Sequence, residues 1–160
     1  MTIQPGDKIP AATVYEMGPD GPSGVSTQDL FADKTVVLFG LPGAFTPTCS
    51  AQHLPGYVDL SAQLKAKGID EIICFSVNDA FIMGAWGKDQ NVGDKVRMIG
   101  DGSGLLTKDL GLELDLVEAG LGVRCQRFAM VVENGTVKTI DIEGPGEFEV
   151  SSAAAQLSKL

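Results

Sequence analysis

The reactive element of this sequence is one thiol in a stiff stretch. Cys49 lies within "LPGAFTPTCSAQHLPG", residues 41–56, behind Pro42 and Pro47 and between two threonines and a serine. A short apolar run precedes it and a helical pattern follows, so it falls in the first turn of a helix. The backbone N–H groups of a first turn lack intrahelical partners and form the positive end of the helix dipole. A thiol held there ionises more readily than a free one, and the thiolate is the nucleophile. A lone cysteine can also simply pack. The first-turn position, with Gly40, Gly43, Pro42 and Pro47 shaping the approach, favours chemistry. A disulfide oxidoreductase of the Cys-x-x-Cys kind would carry a second cysteine at position 46, and this chain has Thr46. A hydroxyl there cannot form a disulfide, but it can hydrogen-bond an oxygen held beside the sulfur.

The elements that must position this thiol are legible in the pattern. "TVVLFG" (35–40) and "EIICFSV" (71–77) have the continuous apolar character of strands buried on both faces. "KVRMIG" (95–100) reads as a third strand. Between them, Leu54, Tyr57, Val58 and Leu64 recur at helical spacing, with Pro55 disturbing the first turns and Gly68 as a stop. Asn78 or Asp79 can cap a second helix that places Phe81, Ile82, Ala85 and Trp86 on one face. "SGLLTKDLGL" reads as a short helix. "QRFAMVV" and "TVKTIDIE" flank Asn134-Gly135, a hairpin signal, and "SSAAAQLSKL" closes as a helix capped by Ser151 or Ser152. The first 35 residues, rich in Gly and Pro, are expected to be irregular or edge structure. Early strand–helix alternation predicts parallel strands with right-handed crossovers, and the late hairpin an antiparallel edge. The expected fold is therefore α/β and thioredoxin-like, a mixed central sheet with helices on both faces. Residues 1–160 are read as a single domain.

Composition narrows the function. Hydrophobic residues make up 44% and charged residues 21%, an ordinary globular balance. The net charge of -9 repels phosphate backbones, which argues against nucleic acid. "TVVLFGLPGAF" is too short and broken to span a bilayer, and "MTIQPGDKIP" lacks the pattern of a secretion signal. Cys49, Cys74 and Cys125 are odd in number and widely spaced, so a reducing, cytoplasmic setting is expected rather than a disulfide framework. "NGT" at 134–136 is then a turn and not a glycosylation site. With one histidine, His53, and no supporting ligand cluster, no metal is expected. "GDGSGLL" and "GLGV" match no phosphate loop and read as turns. Trp86 and the methionines are at core spacing. Cys74 reads as a core residue of a central strand. Cys125, two residues before Arg127, would share a face with it if both lay in one strand.

The stretch "PGAFTPTCS" resembles the active-site signature of the peroxiredoxins, in their atypical, type-five branch. The resemblance continues through "HLPGYV", "LKAKGIDEIICFSVNDAFIMGAW", "GLGVRCQRFAMVVENG" and "GPGEFEVSSA", and so covers nearly the whole chain. It implies a thiol peroxidase acting on hydrogen peroxide and organic hydroperoxides, with no cofactor. It implies Cys49 as the peroxidatic cysteine, which becomes a sulfenic acid. Thr46 matches the threonine that orients the peroxide, Pro42 the proline that limits solvent access, and Arg127 the arginine that supports the thiolate. His53 matches a family histidine, for which a buried polar role competes with a catalytic one. Arg124 reads as a surface or supporting arginine. Relatives that resolve internally use a second cysteine late in the chain, and "EGPGEFEVSSAAAQLSKL" has none. A one-cysteine cycle is expected, resolved by glutathione and glutaredoxin or, less favoured, by thioredoxin. Family members commonly associate near the active site, which makes a homodimer an expectation. A sensor or relay passing oxidation to a partner protein is the alternative that the sequence leaves open.

Overall fold

A computed structural model describes residues 1–160. The Gly- and Pro-rich start forms an edge hairpin, β1 (Thr13–Gly18) and β2 (Gly21–Ser26), followed by helix α1 (Thr27–Phe31). The two apolar runs become β3 (Thr35–Gly40) and β4 (Glu71–Ser76), paired in parallel with Phe39 opposite Cys74. Strand β5 (Arg97–Gly100) joins β4 in parallel and starts two residues later than the pattern indicated. Parallel neighbours need crossovers. Helices α2 (Leu54–Asp59) and α3 (Ser61–Ala66) supply the first, and α4 (Ala80–Asp89) the second. Helix α5 (Leu105–Leu110) follows β5. Strands β8 (Phe128–Glu133) and β9 (Thr136–Ile142) form the late hairpin around Asn134-Gly135, both at positive φ. Helix α6 (Ala153–Ser158) is capped by Ser152, whose hydroxyl accepts from the Ala155 N–H.

The sheet order is β2-β1-β5-β4-β3-β8-β9. It is a mixed sheet of the thioredoxin-like α/β type. Side-chain alternation sorts the core into two. Val36, Leu38, Ile73 and Phe75 face one way and pack with Leu30, Phe31, Leu106 and Leu110 of α1 and α5. Val37, Phe39, Ile72 and Cys74 face the other way, against Leu54, Tyr57, Leu64 and Trp86 of α2, α3 and α4. Cys49 belongs to this second core and Cys125 to the first.

Two sequence expectations need correction. Helix α4 buries Ala80, Met83, Trp86 and Gly87, whereas Phe81, Ile82 and Ala85 are exposed. Its glycines explain the rotation. A Cβ at Gly84 would lie 2.8 Å from Met17 Cβ, and one at Gly87 2.9 Å from Met98 Cγ, so the small residues are the ones laid on the sheet. Nor do Cys125 and Arg127 share a strand. Cys125 ends β7 (Gly122–Cys125), which pairs with β6 (Glu113–Leu116) in a separate two-stranded sheet. Arg127 lies in the link from that sheet to β8. The two side chains therefore need not follow strand alternation, and Cys125 turns into the first core.

Candidate active site

The segment from Leu41 to Thr46 is fixed from three sides. The Ala44 N–H donates to Asn78 Oδ1 at 2.9 Å, and Ser76 Oγ donates to the same oxygen at 2.8 Å. Asn78 therefore braces this loop, and Asp79 alone caps α4, accepting from the Ile82 N–H. Arg124 donates through Nη1 to the Pro42 carbonyl at 3.2 Å and through Nε to the Leu121 carbonyl at 2.8 Å. A Cβ on Gly43 would lie 2.6 Å from that Nη1, so glycine leaves room for the guanidinium. The Thr46 hydroxyl donates to the Gly43 carbonyl at 2.7 Å.

Pro47 opens the helical segment, where its missing N–H costs nothing. The Ser50 N–H donates to the Thr46 carbonyl at 2.9 Å, as the first i to i−4 bond of the segment. The amide of Cys49 thus lies one residue before that bond, in the first turn. The helix then widens into a π turn, Cys49–His53, in which the Leu54 N–H reaches the Cys49 carbonyl. Pro55 accounts for the widening. It has no N–H for the Ala51 carbonyl and its ring crowds that oxygen. Cys49 and His53, one turn apart, both face Arg127.

Arg127 joins them. Its Nη2 donates to Cys49 Sγ at 3.2 Å and its Nη1 donates to His53 Nδ1 at 2.9 Å. His53 Nε2 lies 3.0 Å from the Ser151 carbonyl. A carbonyl only accepts and a guanidinium only donates. The ring is therefore neutral, with its proton on Nε2. Burial first, and the Arg127 charge second, push its pKa from 6.5 down to about 3, against the opposing pull of the Ser151 carbonyl. Phe39 and Phe148 pack on the imidazole at 4.9 and 5.1 Å, and the Arg127 guanidinium lies 5.8 Å over the Phe148 ring.

A pH effect follows. Between about 3 and 6.5 the unfolded chain binds a proton on His53 that the folded chain refuses. Stability should be full above 6.5 and fall as pH drops, by up to about 1.4 kcal/mol per pH unit for one proton. Glu71, Asp141 and Glu143 add a loss only below their ordinary 4.5 or 3.8. Burial opposes the ionisation of these carboxyls, but hydrogen bonds to their neighbours outweigh it. Urea unfolding of the parent and of His53→Asn should therefore differ in slope between pH 4.5 and 6.5. Equal slopes there would remove His53 as the source.

The other thiols are set apart. Cys74 is fully buried, and desolvation, then Cys49, raise its pKa well above the usual thiol range. Burial also pushes Cys125 up, and its Sγ lies 3.1 Å from the Gln126 carbonyl. Cys125 lies in the core across the sheet from Cys49, whereas Cys74 shares the Cys49 face. Beside Arg127 a cleft of about 500 Å³ opens, bounded by Pro42, Thr48, Gln52, Leu114, Leu116 and Phe148. No group of three or more His, Cys, Asp or Glu side chains is arranged to hold a metal ion. No helix is long and apolar enough to cross a membrane.

Comparison with known proteins agrees with this geometry. A sequence profile of the family described as Redoxin matches residues 4–157. Peroxiredoxin-2D of Arabidopsis thaliana is 50% identical over 159 residues, covering 99% of this chain and 98% of its own. The chain belongs to the peroxiredoxins. Reduced Prx3 of Vibrio vulnificus, solved in complex with hydrogen peroxide, superposes with a TM-score of 0.95 at 49% identity, over 99% of each chain. A Burkholderia cenocepacia protein, provisionally named a thioredoxin reductase, superposes with a TM-score of 0.98 at 54% identity, over 100% of this chain and 99% of its own. This peroxiredoxin is an enzyme of the thiol peroxidase type, with peroxide as substrate.

Within the peroxiredoxin, Cys49, Arg127 and His53 meet directly, and Thr46 and Pro42 lie on the loop that leads to them. The pattern did not reveal Ser151, Glu143, Phe148 or Asn78 as neighbours of this site. Ser151 lies 98 residues from His53, and no local periodicity reports such a pairing. Glu143 and Ser151 are eight residues apart, and their bonds to each other exist only once the chain has turned back between them.

Proposed function

We propose that this peroxiredoxin runs a one-cysteine cycle with Cys49 as the peroxidatic residue. The observation that carries the proposal is Arg127, one nitrogen at 3.2 Å from the Cys49 sulfur and the other fixed on His53. The Cys49 thiolate attacks the distal oxygen of a hydroperoxide. An S–O bond forms, the O–O bond breaks, and the leaving oxygen departs as water or an alcohol after taking up a proton. Arg127 and the Cys49 N–H stabilise the negative charge as it shifts from sulfur to oxygen. The Thr46 hydroxyl has its proton committed to Gly43, so its lone pairs accept from the peroxide O–H and orient it. Pro42 shields the sulfur from bulk solvent, and Leu114, Leu116 and Phe148 suit the alkyl group of an organic hydroperoxide.

Resolution falls to an external thiol. Glutathione attacks the sulfenic sulfur, releasing water and leaving a mixed disulfide. Glutaredoxin or a second thiol then reduces that bond, with thioredoxin as the less favoured reductant. The burial of Cys74 and Cys125, and the position of Cys125 across the sheet, support this reading. The whole chain acts as a single domain in the cytoplasm, without nucleic acid or membrane partners. It associates as a homodimer through the exposed apolar side chains of Phe45, Phe81 and Leu105.

Mass spectrometry after one equivalent of peroxide tests the cycle. Without added thiol, Cys49 should carry one or more oxygens. With glutathione it should carry a glutathione adduct. A rapid, quantitative disulfide from Cys49 to Cys74 or Cys125 within one chain would refute a one-cysteine cycle.

A further inference from the structure

A closed circuit of hydrogen bonds surrounds Arg127. The Glu143 N–H donates to the Arg127 carbonyl at 2.9 Å. Glu143 Oε2 accepts from the Glu149 N–H at 2.7 Å, the Ser151 N–H at 2.9 Å and the Ser151 hydroxyl at 2.6 Å. The Ser151 carbonyl accepts from His53 Nε2 at 3.0 Å and from the Tyr57 hydroxyl at 2.7 Å. His53 Nδ1 accepts from Arg127 Nη1, which returns the circuit to its start. Backbone and guanidinium of one residue are thus tied through Glu143, Ser151 and His53.

We infer that Glu143 is a positioning residue for the peroxidase reaction, holding the Arg127 guanidinium in place through Ser151 and His53. A free arginine side chain samples many rotamers, and its planar fork serves one sulfur only if its plane is fixed. The imidazole fixes that plane. Its own orientation depends on the Ser151 carbonyl, and that carbonyl stays where the Glu143 carboxylate gathers residues 149–151. The carboxylate bears a cost, because Oε1 is buried without a hydrogen-bond partner. Three charge-assisted bonds converge on the other oxygen and offset it. No contact joins Glu143 to the sulfur itself, so its effect must pass through the circuit.

This inference rests on the reading that Arg127 supports the Cys49 thiolate, and the experiment separates the two. Stopped-flow oxidation by hydrogen peroxide and ultraviolet titration of the thiolate are measured on six chains. These are the parent, Arg127→Ala, Glu143→Ala, Glu143→Gln and the His53→Ala/Glu143→Ala pair, with His53→Ala as reference. Glu143→Ala should slow oxidation about 10- to 100-fold, as misplacement of a reacting group does, and move Cys49 ionisation to higher pH. Glu143→Gln keeps an acceptor oxygen for the same donors and should stay within about threefold of the parent. The double variant should be no slower than the slower single one, because both act along one path. Native rate and titration in folded Glu143→Ala overturn the inference. So do multiplying effects in the pair, or a glutamine variant as slow as alanine. An unaffected Arg127→Ala instead overturns the reading beneath it. Should Glu143→Ala not fold, Ser151→Ala removes one bond of the circuit, and it must shift rate and titration in the same direction or the inference fails.

Discussion

Cys49→Ser is expected to abolish peroxide reduction, lowering the rate on the order of 10³-fold or more, as loss of an essential nucleophile does. A serine hydroxyl stays protonated at neutral pH and attacks an O–O bond poorly, even with Arg127 beside it. Cys74→Ser and Cys125→Ser should keep most of the first oxidation step. Both thiols are buried, and desolvation raises both out of the range in which a thiolate forms. Each of these serines also buries a hydroxyl in an apolar core, which costs about 1 to 3 kcal/mol when unpartnered. Rates must therefore be read at temperatures where the variants remain folded. Stopped-flow fluorescence from Trp86 can follow the oxidation, because its indole N–H donates to the Ser50 hydroxyl, one residue from the thiol. Rapid oxidation of the Cys49 variant, or a Cys74 variant as slow as it, would end the assignment.

The sequence and the structure agree best where the signal is local. The runs at β3 and β4, the caps at Asp79 and Ser152 and the turn at Asn134-Gly135 each reside in a few neighbouring residues. So does the placement of Cys49 in a first turn after Pro47. The orientation of α4 was not legible, because Gly84 and Gly87 dock by what they lack. Apolar periodicity counted Phe81 and Ile82 instead. The partners of His53 were not legible either. Its imidazole is bound by Arg127, 74 residues on, and by Ser151, 98 residues on. Only the sheet, which carries β8 beside β3, brings those segments together. Family resemblance supplied Arg127 where periodicity could not, and nothing supplied Glu143.

Arg127→Ala is expected to slow peroxide attack about 10²- to 10³-fold, the usual effect of losing one donor aimed at developing charge. Cys49 ionisation should move to higher pH in the same variant. The two effects have one origin. The donor at 3.2 Å favours the thiolate before attack and the oxygen anion during it. Arg127→Lys should recover only part of the loss, because a point charge on a flexible stem cannot bridge His53 and the sulfur as a planar fork does. A second consequence tests whether the pairing exists in solution. Without Arg127, His53 Nδ1 loses its buried donor, and an unmet acceptor costs about 1 to 3 kcal/mol. It also loses the nearby positive charge that, after burial, depresses its pKa. Its titration should therefore move up from about 3 toward the ordinary 6.5, and the acid-sensitive window should narrow from below. NMR of the lone imidazole across pH reads this directly. A variant with parent rates and an unmoved histidine would make Arg127 a packing residue, and the charge that steadies the sulfur would have to come from the helix turn alone.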